Sequence, residues 1–174
     1  MRETVASTWV YQLVIIFILI FVAFLVMSLS YSKTYKTKNE LINIIERSEG
    51  VNTRSVQIMN NYLKSVSYAT KGNCPVGESW MGATSLSNTA DFKKTVNGTK
   101  YYYCINKKWN NDSLNKKSIT SKSGKNTITY VKSKMFYQIK IFYHFNLPVL
   151  GDFFTFSIGG TTNDIFTGSD MFSK

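Results

Sequence analysis

The polar and apolar positions divide the chain into an apolar N-terminal stretch and a longer part made of short periodic segments. No charged residue occurs from Thr4 to Ser32, and residues 13–27 carry no polar side chain. A helix of roughly 20 apolar residues crosses the hydrocarbon core of a bilayer. Aromatic rings, which favour the water–lipid boundary, lie at both ends of the stretch: Trp9, Tyr11, Tyr31 and Tyr35. The pattern predicts a membrane-spanning helix.

Two other interpretations of this stretch are open. A cleaved signal peptide is compatible with Arg2 and with the small-x-small sequence Ser28-Leu29-Ser30, although the apolar run exceeds the usual length of about 7–15 residues. A buried core helix would need more surrounding protein than a chain of this size supplies. The length of the run fits a membrane anchor best.

Helical periodicity continues beyond the apolar stretch. Apolar residues at 41, 42, 44 and 45 form one face, with polar residues opposite. No helix breaker occurs between Tyr31 and Glu49, so the membrane helix is predicted to continue to a stop at Gly50. Asn52 is a candidate N-cap for a second helix that fades near Tyr68. The residues predicted to be buried on this second helix are Val56, Met59, Tyr62 or Leu63, and Val66.

The remainder is predicted to form strands. Asn97-Gly98 is a strong hairpin signal between residues 92–96 and 99–105; it also fits a glycosylation sequon, as does Asn111-Asp112-Ser113. Residues 125–131 and 135–146 are predicted to pair, and the second of these alternates strictly between apolar and polar positions. Further strands are predicted at 153–158 and, after Gly159-Gly160, near 164–167.

These elements predict an α+β fold. A long N-terminal transmembrane helix continues into an amphipathic helix, and a small antiparallel β-sheet domain follows. We divide the chain into a transmembrane anchor (1–32), an amphipathic helical segment (33–67) and an extracytoplasmic antiparallel β domain (68–174). At 174 residues the chain has room for one domain plus the anchor.

Charge and cysteine content leave the side of the membrane open. The formal net charge of +11 is compatible with a nucleic acid, an anionic lipid surface or an anionic wall polymer. Lys33, Lys36 and Lys38 after the helix favour a cytoplasmic domain by the positive-inside rule. The two cysteines, Cys74 and Cys104, fit a disulfide in an oxidising compartment, but two unpaired buried thiols are the alternative.

The sequence contains no recognisable catalytic or metal-binding pattern. The single histidine, His144, lies in a predicted strand without neighbouring Cys, Asp or Glu, so we interpret it as a surface or edge residue. Gly159-Gly160 is too isolated to form a phosphate-binding loop. We therefore predict no enzymatic activity, no cofactor, no metal and no small-molecule substrate.

Two stretches carry a resemblance to a known family. YSKTYKTKNELINIIERSEGV (31–51) resembles the post-membrane segment of TadE-like pseudopilins of tight-adherence pilus systems. YQIKIFYHFNLPVLGDFFTFSIGGTT (137–162) is similar to that family's C-terminal strand, proline-containing turn and strand. The chain departs from processed members in having no glycine before the apolar run, and Glu3 lies too early for the expected glutamate.

The resemblance implies a pilin-like structural component of a pilus or secretion apparatus. Its implied topology is single-pass, with a cytoplasmic N-terminus and an extracytoplasmic domain, and this topology accommodates a disulfide. The implied partners are membrane lipid, other pilin-like subunits and assembly platform proteins. The residues expected to pack against neighbouring helices are Ile15, Leu19, Val22, Val26 and Leu29.

A binding module is the alternative function. A membrane-tethered extracellular domain could contact an anionic polymer, such as a wall polymer or DNA, through a lysine-rich loop in which an indole stacks on a base or sugar. The indole could equally cover the core. The candidate contact residues are Lys107, Lys108, Trp109, Lys116, Lys117, Lys122 and Lys125.

Overall fold

The structure, a computed structural model, describes residues 2–77, 79–109, 117–123, 126–132, 134–147 and 151–166. These described residues form two α-helices, one 3₁₀ turn and ten strands. The helices are α1 (Arg2–Arg47) and α2 (Thr53–Ser65), and the turn spans Thr89–Asp91. The strands are β1 (Gly72–Asn73), β2 (Trp80–Ala83), β3 (Phe92–Lys94), β4 (Lys100–Tyr101), β5 (Tyr103–Trp109), β6 (Lys117–Ser123), β7 (Asn126–Lys132), β8 (Lys134–Leu147), β9 (Gly151–Thr161) and β10 (Ile165–Phe166).

Helix α1 is continuous from the apolar stretch into the amphipathic segment, as predicted. Its 46 residues correspond to a length of about 69 Å. The residues from Trp9 to Leu25 are exposed apart from Ala23, whereas Leu41, Ile44 and Ile45 are buried against the rest of the protein. The alternative of a buried core helix is therefore wrong for the apolar stretch.

Helix α1 ends in a Schellman motif. The N–H of Gly50 donates to the carbonyl of Ile45 (3.0 Å), and the N–H of Glu49 donates to that of Glu46 (3.2 Å). The left-handed residue at the turn is Glu49, with φ of 53°, and Gly50 follows it with φ of 135°. Gly50 thus takes part in the helix stop, as expected, but one position beyond the usual glycine site.

Helix α2 begins and ends with hydrogen-bonded caps. Asn52 Oδ1 accepts from the N–H of Ser55 (2.8 Å) while Ser55 Oγ accepts from the N–H of Asn52 (2.9 Å), which is a reciprocal capping box. At the other end, the N–H of Tyr68 donates to the carbonyl of Leu63 (2.9 Å) in a second Schellman motif. This second motif fixes the direction in which Tyr68 leaves the helix and enters the core.

The main sheet has six strands and is antiparallel at every recorded pair. The strand order is β10–β8–β5–β2–β3. Strand β9 pairs with the same edge of β8 as β10 does, along residues 138–147 of β8. Two short pairs stand apart, β1 with β4 and β6 with β7. Together with the two helices this confirms the predicted α+β class with a small antiparallel sheet.

The core lies between the helices and one face of the sheet. The alternation predicted for β8 is confirmed there, since Met135, Tyr137, Ile139 and Ile141 are buried. They pack with residues of α1, α2 and β5, of which the largest fully buried are Leu41, Ile45, Met59, Leu63, Tyr103 and Ile105. Both helices therefore contribute to a single core.

Two predicted strand pairings are wrong. The turn at Asn97-Gly98 exists, with φ of 81° at Gly98, but the flanking strands do not pair, because β2 lies between β3 and β5. Residues 126–132 pair with β6 rather than with β8, whose two edges are occupied by β5 on one side and by β9 and β10 on the other. A strand with both edges occupied has no hydrogen bonds left to offer its neighbour in sequence.

The glycine pair does not end a strand. Strand β9 continues through Gly159 and Gly160 to Thr161, paired with β8 throughout. Glycine within a strand often marks a close approach of another backbone or side chain. Here the approaching element is α1.

Candidate functional site

The largest exposed apolar surface among the described side chains is that of α1. The five residues expected to pack against neighbouring helices lie along one side at helical spacing and are exposed by 38–71%. The helix is long and apolar enough to span a membrane.

The C-terminal half of α1 packs on the sheet beside Gly160 of β9. A β-carbon at Gly160 would lie 2.9 Å from Ile42 Cδ1 and 3.0 Å from Lys38 Cδ, closer than ordinary contacts allow. Lys38 is buried along its stem, and its Nζ lies 4.1 Å from the centroid of the Tyr35 ring. Gly160 is thus in close contact with α1, and a side chain at this position would have to displace the ends of the Ile42 and Lys38 side chains.

Aromatic rings join α1 to the sheet where the helix leaves its apolar part. The Tyr31 ring meets the Tyr143 ring edge-on at 6.1 Å, and Tyr143 stacks on Phe156 at 5.2 Å. Tyr31 also stacks on Tyr35 at 6.2 Å. We call these four residues the junction cluster. Tyr31 and Tyr35 were expected at a membrane boundary from their positions, whereas the contribution of Tyr143 and Phe156 depends on the tertiary fold.

The two cysteines form a disulfide in a second small core. Cys74 and Cys104 are bonded, with their Cα atoms 5.8 Å apart, so the alternative of two unpaired thiols is wrong. Tyr101 and Phe142 pack around the bond and are buried. Because Phe142 faces this cluster, β8 is buried on both faces at that point, which the alternating pattern does not predict.

A tyrosine hydroxyl replaces missing sheet hydrogen bonds beside this cluster. The pairing of β8 with β5 ends at Ile141 and Tyr103, one residue before Phe142. The hydroxyl of Tyr68 donates to the carbonyl of Phe142 and accepts from its N–H, the latter at 2.9 Å. Burial raises the pKa of Tyr68 well above its ordinary value, and the hydrogen bond to Phe142 opposes that shift in part.

A second buried tyrosine links α2 to the sheet. The hydroxyl of Tyr103 donates to Oδ1 of Asn60 (3.0 Å), and both side chains are buried. Burial raises the pKa of Tyr103 as well. Neither tyrosine was singled out by its sequence pattern, because the partner of each lies 43 or 74 positions away in the chain.

The seven candidate polyanion-binding residues are only partly brought together. Lys107, Lys108 and Trp109 lie in β5, not in a loop as predicted, because β5 continues that far beside β8. The ammonium of Lys107 lies 4.6 Å from the centroid of the Trp109 ring, which is 48% exposed. Lys117 and Lys122 lie on β6, in the separate two-stranded sheet, while Lys116 and Lys125 lie outside the described residues.

No metal centre is present among the described residues. They contain no group of three or more His, Cys, Asp or Glu side chains that could hold a metal ion. His144 lies on β8, with Nδ1 3.2 Å from Thr155 Oγ1, and its side chain is partly exposed. Among the described residues, the candidate functional features are therefore the exposed apolar surface of α1 and the junction cluster.

Comparison with known proteins does not place the chain in a family. No protein-family model, no curated protein and no solved structure matches it significantly.

Proposed function

We propose that the chain is a pilin-like or pseudopilin-like structural component of a tight-adherence pilus or secretion apparatus, related in plan to TadE-like pseudopilins. The observation that carries the proposal is the division of α1 into two halves. From Trp9 to Leu25 the helix exposes apolar side chains on all sides, whereas Leu41, Ile44 and Ile45 further along are buried in the core that α1 shares with the sheet. A subunit of this kind can exchange lipid for neighbouring helices while the sheet domain stays outside the apolar layer.

The proposed topology places the sheet domain outside the cytoplasm. The supporting observation is the Cys74–Cys104 disulfide, because such bonds persist mainly in oxidising compartments. The partners are then membrane lipid, other pilin-like subunits and assembly platform proteins. Lys33, Lys36 and Lys38, which follow the apolar stretch, are exceptions to the positive-inside rule in this topology.

Thiol labelling in intact cells tests this topology. A membrane-impermeant maleimide is expected to label the chain only after treatment with an impermeant reductant, since both sulfur atoms are bonded to each other in the oxidised protein and belong to the domain outside the membrane. The Cys74→Ala/Cys104→Ala variant provides the background signal. Labelling that requires permeabilised cells would place the domain in the cytoplasm and contradict the topology.

A pair of lysine substitutions tests the packing role of α1. Val22→Lys is expected to reduce cross-linked oligomers in native membranes by about tenfold or more, because like charges would meet between neighbouring helices, and each 1.4 kcal/mol of repulsion changes an equilibrium constant about tenfold. Phe24→Lys is the matched control: it introduces the same charge at almost the same depth, but about 200° further around the helix. Membrane insertion is therefore expected to suffer equally in both variants.

The comparison between these variants decides the result. Loss of oligomers in Val22→Lys with retention in Phe24→Lys would support the predicted packing side, which contains Ile15, Leu19, Val22, Val26 and Leu29. Equal loss, with equal amounts of protein in the membrane, would contradict that choice of side. Unchanged oligomers in both variants would contradict packing through α1 altogether.

A further inference from the structure

A shallow pocket lies on the face of the sheet that is turned away from α1. Its volume is about 300 Å³, near the lower end of the range for small-molecule sites. Its walls come from two separate parts of the fold, the β1–β4 pair and strands β8 and β9. The residues that line it include Gly72, Asn73, Lys100, Phe142, Thr155 and Ser157. None of the described lining residues carries a carboxylate.

Strand alternation places the pocket on this face. Phe156 stacks on Tyr143 in the junction cluster, which joins the sheet to α1. Successive side chains of a strand point to opposite faces, so those of Thr155 and Ser157 project away from α1. Ser157 is in register with Phe142 of β8, which is buried and also lines the pocket. The pocket and the junction cluster therefore lie back to back on the same strands.

The β1–β4 pair forms the opposite wall of the pocket. Asn73 and Lys100 are in register across this pair. Gly72 lies directly against the Phe142 ring, and a β-carbon at this position would overlap the ring. The disulfide, whose first cysteine follows β1 directly, joins this wall to β5. Close packing and a covalent bond therefore hold the wall in place.

Three polar side chains of the pocket are without a partner among the described residues. Asn73, Lys100 and Ser157 are exposed, and their side chains make no hydrogen bond or ion pair with any other described residue. The hydroxyl of Thr155 lies 3.2 Å from Nδ1 of His144. The pocket thus presents an ammonium, a hydroxyl and an amide that are available to a ligand.

Lys71 also lines the pocket, but its ammonium is engaged elsewhere. Lys71 Nζ donates to the carbonyl of Thr84 (2.8 Å) and lies 4.4 Å from the centroid of the Tyr102 ring. Lys100 is therefore the described lysine of the pocket whose ammonium can bind a ligand. An ammonium, a hydroxyl and an amide N–H all donate hydrogen bonds. Together, and with no carboxylate among the described lining residues, they select an anion.

The kind of anion follows from the donors and from their surroundings. A phosphate group offers several strong acceptor oxygens at once, and lysine binds it as a point charge. Three donors of different kinds match such a group better than a carboxylate, which has only two oxygens. The Phe142 ring beside them gives an apolar surface for carbon atoms attached to the phosphate. These features together favour a phosphate ester.

The pocket lies at the height where α1 becomes apolar. The two β9 residues that line it flank Phe156, which is joined to Tyr31 through the junction cluster. No charged residue occurs from Thr4 to Ser32. With α1 across a bilayer, Tyr31 lies at the water–lipid boundary, where tyrosine is favoured. The phosphate groups of phospholipids occupy the same boundary.

We propose that this pocket binds a phosphate ester, with the phosphate held by Lys100, Ser157 and Asn73. The same chemistry is present in a phospholipid headgroup and in a soluble phosphate ester. The headgroup source rests on the proposed function, because it requires that α1 spans a bilayer, whereas the phosphate site itself does not. A bound headgroup ties the face of the sheet opposite α1 to the leaflet from which α1 emerges.

Titration of the full chain in uncharged detergent micelles tests the phosphate site. The probes are dihexanoyl phosphatidylglycerol and glycerol 1-phosphate, with glycerol as the uncharged control. Calorimetry is expected to show saturable binding of a phosphate probe and no binding of glycerol. Lys100→Glu is expected to weaken this binding by about tenfold or more, because it replaces the cation of the site with an anion.

Lys94→Glu is the matched control for charge. Lys94 is exposed on β3 and is not a lining residue, and its substitution changes the net charge by the same amount. Ser157→Ala is expected to weaken binding by about three- to tenfold through loss of one hydrogen bond. Thr161→Ala, at an exposed position further along β9, is expected to leave binding unchanged. Equal weakening by Lys100→Glu and Lys94→Glu would overturn the site, since it would reduce binding to general charge attraction.

The two probes distinguish the source of the phosphate. Binding of the phosphatidylglycerol probe without binding of glycerol 1-phosphate would support the site and assign it to a lipid headgroup. Binding of glycerol 1-phosphate would support the site and assign it to the phosphate group irrespective of a lipid. Binding of neither would overturn it. Flotation of the chain with zwitterionic vesicles tests α1 separately: a chain that fails to float would contradict the anchor and the proposed function, whatever the titration shows.

Nuclear magnetic resonance of the unmodified chain locates the bound probe without any substitution. Changes in backbone amide shifts are expected at residues 71–73, at Lys100 and at residues 155–157. Residues 107–109 lie at the other end of β5, in register with residues 135–137 of β8, and contain two lysines. Shift changes confined to residues 107–109, or spread over all exposed lysines, would overturn the proposal.

Discussion

Replacing both cysteines of the Cys74–Cys104 disulfide with alanine is expected to lower the free energy of unfolding by about 3–4 kcal/mol. The bond closes a loop with a sequence separation of 30, and the chain-entropy model assigns a stabilisation of that size to a loop of this length. Its environment adds to the effect, since Tyr101 and Phe142 pack around the bond and Cys104 is fully buried. Urea denaturation of the full chain in detergent micelles, followed by near-ultraviolet circular dichroism, measures the change.

Reduced wild-type protein separates the cross-link from the packing of the sulfur atoms. It retains both side chains and loses only the covalent bond, so it is expected to lie between the oxidised protein and the double alanine variant. A double variant within about 0.5 kcal/mol of the oxidised wild type, the range usual for surface substitutions, would show that the bond does not support the fold.

The Tyr68→Phe substitution is expected to cost about 2–5 kcal/mol, because it leaves both the N–H and the carbonyl of Phe142 without their hydrogen-bond partner in a buried position. Tyr62→Phe is the matched control on the same part of the chain. The Tyr62 ring packs against the core from a partly buried position, and its hydroxyl has no hydrogen-bond partner among the described residues, so a change within about 0.5 kcal/mol is expected. Equal losses in the two variants would contradict the bridging role of Tyr68.

The pH dependence of stability gives a second measure of the same residue. Burial raises the pKa of Tyr68 and of Tyr103 in the folded protein, whereas in the unfolded chain each titrates near pH 10. Their contribution to stability is complete below pH 10. Above it, only the unfolded chain releases these protons, so stability falls by about 1.4 kcal/mol per pH unit for each tyrosine. Tyr68→Phe is expected to remove one of these two contributions to the slope.

Local patterns were sufficient to predict several elements of the structure. The continuity of α1, the cap at Asn52 and the alternation along β8 all depend on residues within a few positions of one another. Such features follow from helix and strand geometry, whatever the remainder of the chain does. For the same reason the cysteines could be recognised as a possible pair, but an unpaired state could not be distinguished from a bonded one.

Strand pairing was predicted poorly, and the cause is competition for edges. The Asn97-Gly98 turn is correctly located, yet β2 takes the place beside β5 that the hairpin would have given to β3. Likewise, β8 has no free edge for β7, because it pairs with β5 on one side and with β9 and β10 on the other. Neighbours in sequence pair only when no more distant strand satisfies the same hydrogen bonds and buries more apolar surface.

The sequence by itself determined the apolar length of α1, its extension into an amphipathic helix and the α+β class, because periodicity and length record the local environment of each residue. The tertiary structure alone decided that Tyr68 completes the hydrogen bonds of Phe142, that α1 packs against β9 at Gly160, and that the Tyr31 ring meets the Tyr143–Phe156 stack. Each of these depends on residues far apart in the chain. Their juxtaposition is set by the packing of whole elements and not by any local pattern.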